Sequence, residues 1–270
     1  MPLSLSIKKQ AITEWATTSQ QMSSVKMFRE LYPKINDFFL KWKEDNNFDF
    51  DQHCRDLVLE YYYRNASSHV KFTMTSSTDY NNGFLKGGSQ WAVSQMSYFF
   101  NNDYYRTVNT ASFSLSMFLD FQRVYDVFHE QGKDYIVGLT ALICHEYAHI
   151  LQYVQVINDI LKLGRPITQH EFNEYLDSTT RKHTKNRADQ WVEYYGEQGE
   201  IHGYAAQAAA EIIHHTKDKA TALKMIANRD PQLKKWSESW TTYLRILEEY
   251  GFREVFDHFV EELIAQINQA

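Results

Sequence analysis

His145, Glu146 and His149 stand in the order H-E-x-x-H inside an apolar, helix-period segment over residues 135–163. At 3.6 residues per turn, positions four apart share one face, so the two imidazoles lie one turn apart on the same side. Nitrogens placed that way can grip one Zn²⁺ at about 2.0–2.1 Å each. Glu146 projects about 100° round from His145, near enough to take a proton from a water that the metal activates without being a ligand itself. The chemistry indicated is metal-assisted hydrolysis. An ordinary helix with two hydrogen-bonded histidines would carry the same string. Against that reading, Leu139, Leu142, Ile143, Ala148, Ile150, Leu151 and Val154 embed the motif in an apolar helix, where an ionised carboxylate without a metal or partner is costly.

Hydrolytic zinc takes three protein ligands and keeps one position open for water. No histidine follows in the short downstream spacing, since Gln152 and Tyr153 come next, so the third ligand belongs to a later element. Glu197, Glu200 and His202 sit where an Ala-rich helix begins. Glu200 is the choice, because Gly203 follows it by three and Tyr204 by four. Glu200, Tyr204, Gln207 and Glu211 then run along one side that can face the motif helix while the Ala positions pack. A Glu200 that only complements the helix N-terminus is the plain alternative. His202 lies about 200° round from Glu200, so a regular helix cannot bring both to one ion.

The elements that position these residues are legible from periodicity. Residues 5–20 read as a short helix, and Ser23 or Ser24 caps a second one to about Lys43, with Met27, Leu31, Ile35, Phe39 and Leu40 inward and a kink or split at Pro33. Asp51 caps a third helix with Cys54, Leu57, Val58, Tyr61 and Tyr62 inward. Alternation over residues 69–76, 91–100 and 107–117 predicts three strands. A short helix over 119–129 follows, and Gly132, Lys133 and Asp134 open the motif helix, which ends at Gly164-Arg165-Pro166. The basic run over 179–189, with Arg181, Lys182, His183, Lys185 and Arg187, reads as a solvated face or, more sharply, as a rim meeting acidic substrate groups. Asp230-Pro231 starts a helix carrying Leu233, Trp236, Trp240, Tyr243, Leu244 and Leu247, and Gly251 closes it. A last amphipathic helix carries Phe252, Val255, Phe256, Phe259, Val260, Leu263 and Ile264.

With 270 residues and 43% hydrophobic content, the chain can bury a sizeable core. A net charge of −6 argues against a general phosphate-backbone binder, so no nucleic-acid partner is expected. Cys54 and Cys144 alone supply neither a disulfide framework nor a Cys₄ zinc ribbon; Cys144 reads as a small core residue. The adjacent His214 and His215 read as surface. The charges at the N-terminus follow a short apolar patch, the wrong order for a secretory signal, and no apolar run of about 20 residues appears. The expectation is a cytoplasmic protein with no membrane partner, in the host cytoplasm if the chain is phage-encoded.

Through His145-Glu146-Tyr147-Ala148-His149 and Glu200-Ile201-His202-Gly203-Tyr204, the chain resembles the zincin metallopeptidases. It is most similar to the gluzincin branch, where a Glu from a second helix completes a His-His-Glu site. It departs from that branch in having Tyr204 where an acidic residue is often found. The segment over 111–116 is similar to the zincin edge strand that aligns a peptide, and the Asn- and Tyr-rich style resembles small phage metallopeptidases. The resemblance implies an α+β, predominantly helical fold. Its zincin-like core over 68–215 would carry a small, mostly antiparallel sheet packed on the H-E-x-x-H helix. Helical segments over 1–67 and 216–270 would flank that core in one compact unit. It implies a Zn²⁺ peptidase acting on a peptide or protein substrate, with His145, His149 and Glu200 as ligands and Glu146 as general base. A donor to the tetrahedral intermediate would come from Tyr194, Tyr195, Tyr204, His183 or Arg181. The alternatives are a metal-binding or interaction protein of that fold without turnover, and a DNA-associated protease or phage–host effector, which the acidic charge weighs against.

Overall fold

The computed structural model describes residues 24–45, 47–65, 70–75, 92–99, 112–119, 134–162 and 190–269. The expected helices over 5–20 and 119–129 and the basic run over 179–189 lie wholly or mainly outside them.

Helix α1 (Ser24–Glu44) buries Val25, Met27, Phe28, Leu31 and Ile35 along one stripe. It is one helix despite Pro33. Proline removes the bond to the carbonyl four residues back, here that of Arg29, and both residues are exposed, so water can serve that carbonyl. Leu40, expected inside, is 50% exposed. Helix α2 (Phe50–Asn65) is capped by Asp49, whose Oδ1 accepts from the Gln52 N–H at 2.9 Å, and not by Asp51. Cys54, Leu57, Val58 and Tyr61 are buried, as a helical stripe requires.

Three strands follow, β1 (Val70–Thr75), β2 (Ala92–Phe99) and β3 (Ser112–Leu119), in the order β1-β3-β2. β1 pairs with β3 in parallel, Val70 opposite Phe113, and β2 pairs with β3 antiparallel, Ala92 opposite Leu119. β3 is therefore the middle strand. Its backbone groups are engaged on both sides, so the segment expected to be an edge aligning a peptide cannot add a substrate strand.

Helix α3 (Tyr135–Lys162) carries the motif. Asp134 caps it, its Oδ1 accepting from the N–H groups of Ile136 and Val137 at 3.1 and 3.2 Å. Every residue from Tyr135 to Ala148 is buried, so this is a helix wrapped on all sides. Its main neighbours are α1 and α5 (Gln198–Thr216). This corrects the expected α+β zincin-like core. Where side chains are described the body is helical throughout. The sheet also has one parallel pair and is not mostly antiparallel. The physical reason is that α5, which meets the His145 ring of α3 through the side-chain-free Gly203, takes the place against α3 that a sheet was expected to fill.

Between α3 and α5 lies the short α4 (Gln190–Tyr195). A tight turn through Gly196 and Glu197, with the Glu197 N–H bonded to the Tyr194 carbonyl at 3.0 Å, folds α4 back on the first turns of α5. After α6 (Lys219–Ala227), the helix expected from Asp230-Pro231 is broken into α7 (Leu233–Trp236) and α8 (Glu238–Glu248). Ser237 interrupts it, its backbone extended and its Oγ accepting from the Trp240 N–H at 3.2 Å. A hydroxyl that caps a new helix outcompetes continuation of the old one. Gly251, at φ 74°, closes α8, and α9 (Arg253–Asn268) returns along α5. On α9, Ile264 is 36% exposed where the pattern predicted burial. No helix among the described residues is long and apolar enough to cross a membrane.

Candidate metal centre

The α3–α5 contact brings His145, His149 and Glu200 together from positions some fifty residues apart, with their ligand atoms all within 4.8 Å of one another. His145 Nε2 and His149 Nε2 are 3.0 Å apart, and the rings stand at 78° with centroids 4.8 Å apart. Glu200 spans both, Oε2 lying 3.7 Å from His145 Nε2 and Oε1 3.8 Å from His149 Nε2. Nitrogen and oxygen ligands at 2.0–2.2 Å around a tetrahedral ion stand about 3.3 Å from each other. The observed separations bracket that value, so shifts of a few tenths of an ångström would form the site.

The electrostatics fit a cation. Burial first, then the neighbouring His149 and His202, holds the His145 pKa well below the usual imidazole value, so the ring is neutral and its nitrogen lone pair available. Burial also raises the Glu200 pKa, opposed by His149 and by a hydrogen bond from Tyr194, while Glu197 adds to the rise. His145 Nδ1 and Glu200 Oε2 are buried with no hydrogen-bond partner among the described residues. A hydrogen bond between the two imidazoles accounts for the 3.0 Å contact but leaves the buried carboxylate poorly compensated. A dication between the two Nε2 atoms and the carboxylate would compensate that charge.

Glu146, 5% exposed, follows His145 directly and lies outside the three-donor group. Tyr204 is packed edge-on against His145 with centroids 4.4 Å apart. Of the other expected donors, Tyr194 reaches Glu200 and feels the charge of Glu146. Tyr195 packs on Tyr204, and its carbonyl accepts the Tyr243 hydroxyl at 2.9 Å; Arg181 and His183 fall outside the described residues. Glu197 occupies the N-cap of α5 and His202 turns away to α9, its Nδ1 2.9 Å from Glu262 Oε2, so neither joins the group.

His214 and His215 depart from the surface reading: both are half-buried, His214 against the stacked Phe28 and Tyr32 and His215 stacked on Trp236 at 5.0 Å. Cys144 is a core residue as its apolar setting predicts, 0% exposed, its thiol 3.4 Å from the Ser24 carbonyl. Sequence reasoning missed Glu262, sixty residues from its partner His202, for which no local signal exists. It noted Gly203 only as a small residue. No family model, curated protein or solved structure matches the chain.

Proposed function

We propose that His145, His149 and Glu200 hold a divalent metal ion, zinc by the chemistry of two imidazoles and one carboxylate, and that the chain hydrolyses peptide bonds there. The observation that most supports this is the meeting of those three donor atoms within 4.8 Å across two helices. The bound ion would lower the pKa of a coordinated water and polarise a carbonyl. Glu146, beside the first ligand and outside the donor set, takes the water's proton and returns it to the leaving amine. Tyr194, hydrogen-bonded to Glu200, orients that carboxylate. The peptide substrate class comes from the resemblance of the H-E-x-x-H segment.

The test is metal content of the purified chain together with cleavage of an unstructured protein substrate. Glu146→Gln should keep about one zinc per chain and lose hydrolysis by about 100-fold or more. Cleavage retained in that variant would remove Glu146 from the mechanism. A second reading, a metal-binding protein without turnover, is favoured by the burial of His145 and Glu146, 4% and 5% exposed. A zinc-loaded wild type that cleaves nothing would select it.

A further inference from the structure

Gly203 lies on the buried face of α5, three residues after Glu200 and flat against the His145 ring. A methyl group at that position would stand 2.9 Å from His145 Cε1, 3.0 Å from Nε2 and 3.1 Å from Nδ1. An ordinary contact needs about 3.5–4.0 Å, so α5 or the imidazole would have to retreat by roughly 0.5–1 Å. The ring is hemmed in, with the Tyr204 and His149 rings 4.4 and 4.8 Å away and its side chain 5% exposed. The three nearest atoms all belong to His145, so that ring sets the closest approach. Glycine also weakens a helix relative to alanine. The small positions that follow in the helix interior, Ala205, Ala206, Ala208, Ala209 and Ala210, are alanine, so the glycine at 203 calls for a separate cause.

We infer that Gly203 is a positioning residue of the metal centre: its missing side chain lets α5 lie against the His145 imidazole, and that approach carries Glu200 within reach of both Nε2 atoms. Residues 200 and 203 share one helix face, so displacement at 203 displaces 200 as well. Glu200 already stands 3.7 and 3.8 Å from the two nitrogens. Ligand distances tolerate only about 0.2 Å, less than the retreat a methyl group demands. The inference rests on the metal-site reading above.

The experiment compares wild type, Gly203→Ala, His145→Ala and the double variant in the full chain. Zn²⁺ alone is titrated into metal-free protein, and thermal unfolding is followed in chelator. Gly203→Ala should bind Zn²⁺ at least about tenfold more weakly and show a lower metal-free Tm. In the His145→Ala background the same substitution should leave Tm unchanged or raise it, since the clashing ring is gone and alanine is the better helix former. Wild-type Zn²⁺ affinity in Gly203→Ala, or an equal fall of Tm in both backgrounds, overturns the inference. If Gly203→Ala does not fold, a folded double variant supports it and an equally unstable one overturns it. A wild type that takes up no Zn²⁺ sinks the metal reading itself, and the two failures are distinguishable because the thermal comparison needs no metal.

Discussion

Helix α5 shows two sides built on opposite principles. Toward α8 and α9 it offers Ile201, Ala205, Ala208, Ala209 and Ile212 to a core with Trp240, Tyr243 and Phe259. There the Tyr243 and Phe259 rings stack at 4.0 Å, 2° from parallel. Toward α3 it offers Glu200 and Gly203, and Gln207 and Glu211 continue that stripe at helical spacing. Gln207 and Glu211 are 7% and 4% exposed, and the Gln207 amide donates to Glu211 at 3.3 Å. One side removes apolar surface from water and stabilises the fold. The other buries groups that prefer water, the proposed metal ligand Glu200 among them. Apolar packing and buried polar groups are thus divided between two faces of one helix.

The sharpest way to break this contrast is Phe259→Ala. Deleting a fully buried ring on the stabilising side should cost about 3–5 kcal/mol in chemical denaturation; a loss below about 1 kcal/mol would mean the α5–α9 contact is not where stability resides. On the other side, zinc at about 100 times its Kd should add about 2.7 kcal/mol to wild type. His149→Ala should abolish that gain, and a thermal scan with and without zinc reads it directly. Ser237→Ala probes the frame away from both faces. Losing the cap on Trp240 should cost about 1 kcal/mol and leave zinc uptake intact, checked by denaturation and titration of the same sample. The smallest effect belongs to Glu200→Gln without metal. Burial disfavours the charged form of Glu200, so metal-free stability at neutral pH should hold or rise. A clear fall would show that the carboxylate supports the fold.

The elements written in short-range periodicity were legible. Spacing and composition located the motif helix and the backbone spans of the three strands, each to within a few residues except that β3 begins and ends later. Cap choice was less so, because Asp49 and Asp51 carry the same chemistry two residues apart and only the path of the chain decides between them. At Ser237, an apolar pattern that runs on without a break concealed a local hydroxyl cap. Strand order was out of reach. Nothing in the alternation at residues 112–119 says that both edges will be paired, since pairing is settled by segments far away in the chain. The packing partner of α3 was misjudged for a related reason: an apolar helix states that it must be covered and not by what.

By itself the sequence determined that His145 and His149 face one way with Glu146 beside them, because a helix sets the relation of residues four apart and adjacent through local geometry alone. It also offered Glu200 as a candidate third donor. Only the tertiary structure decided that Glu200, rather than Glu197 or His202, reaches the pair, and that helices enclose the motif. Those outcomes depend on how closely two helices approach. At the motif that approach runs through Gly203 against the His145 imidazole, a contact between residues with no local relation in the chain.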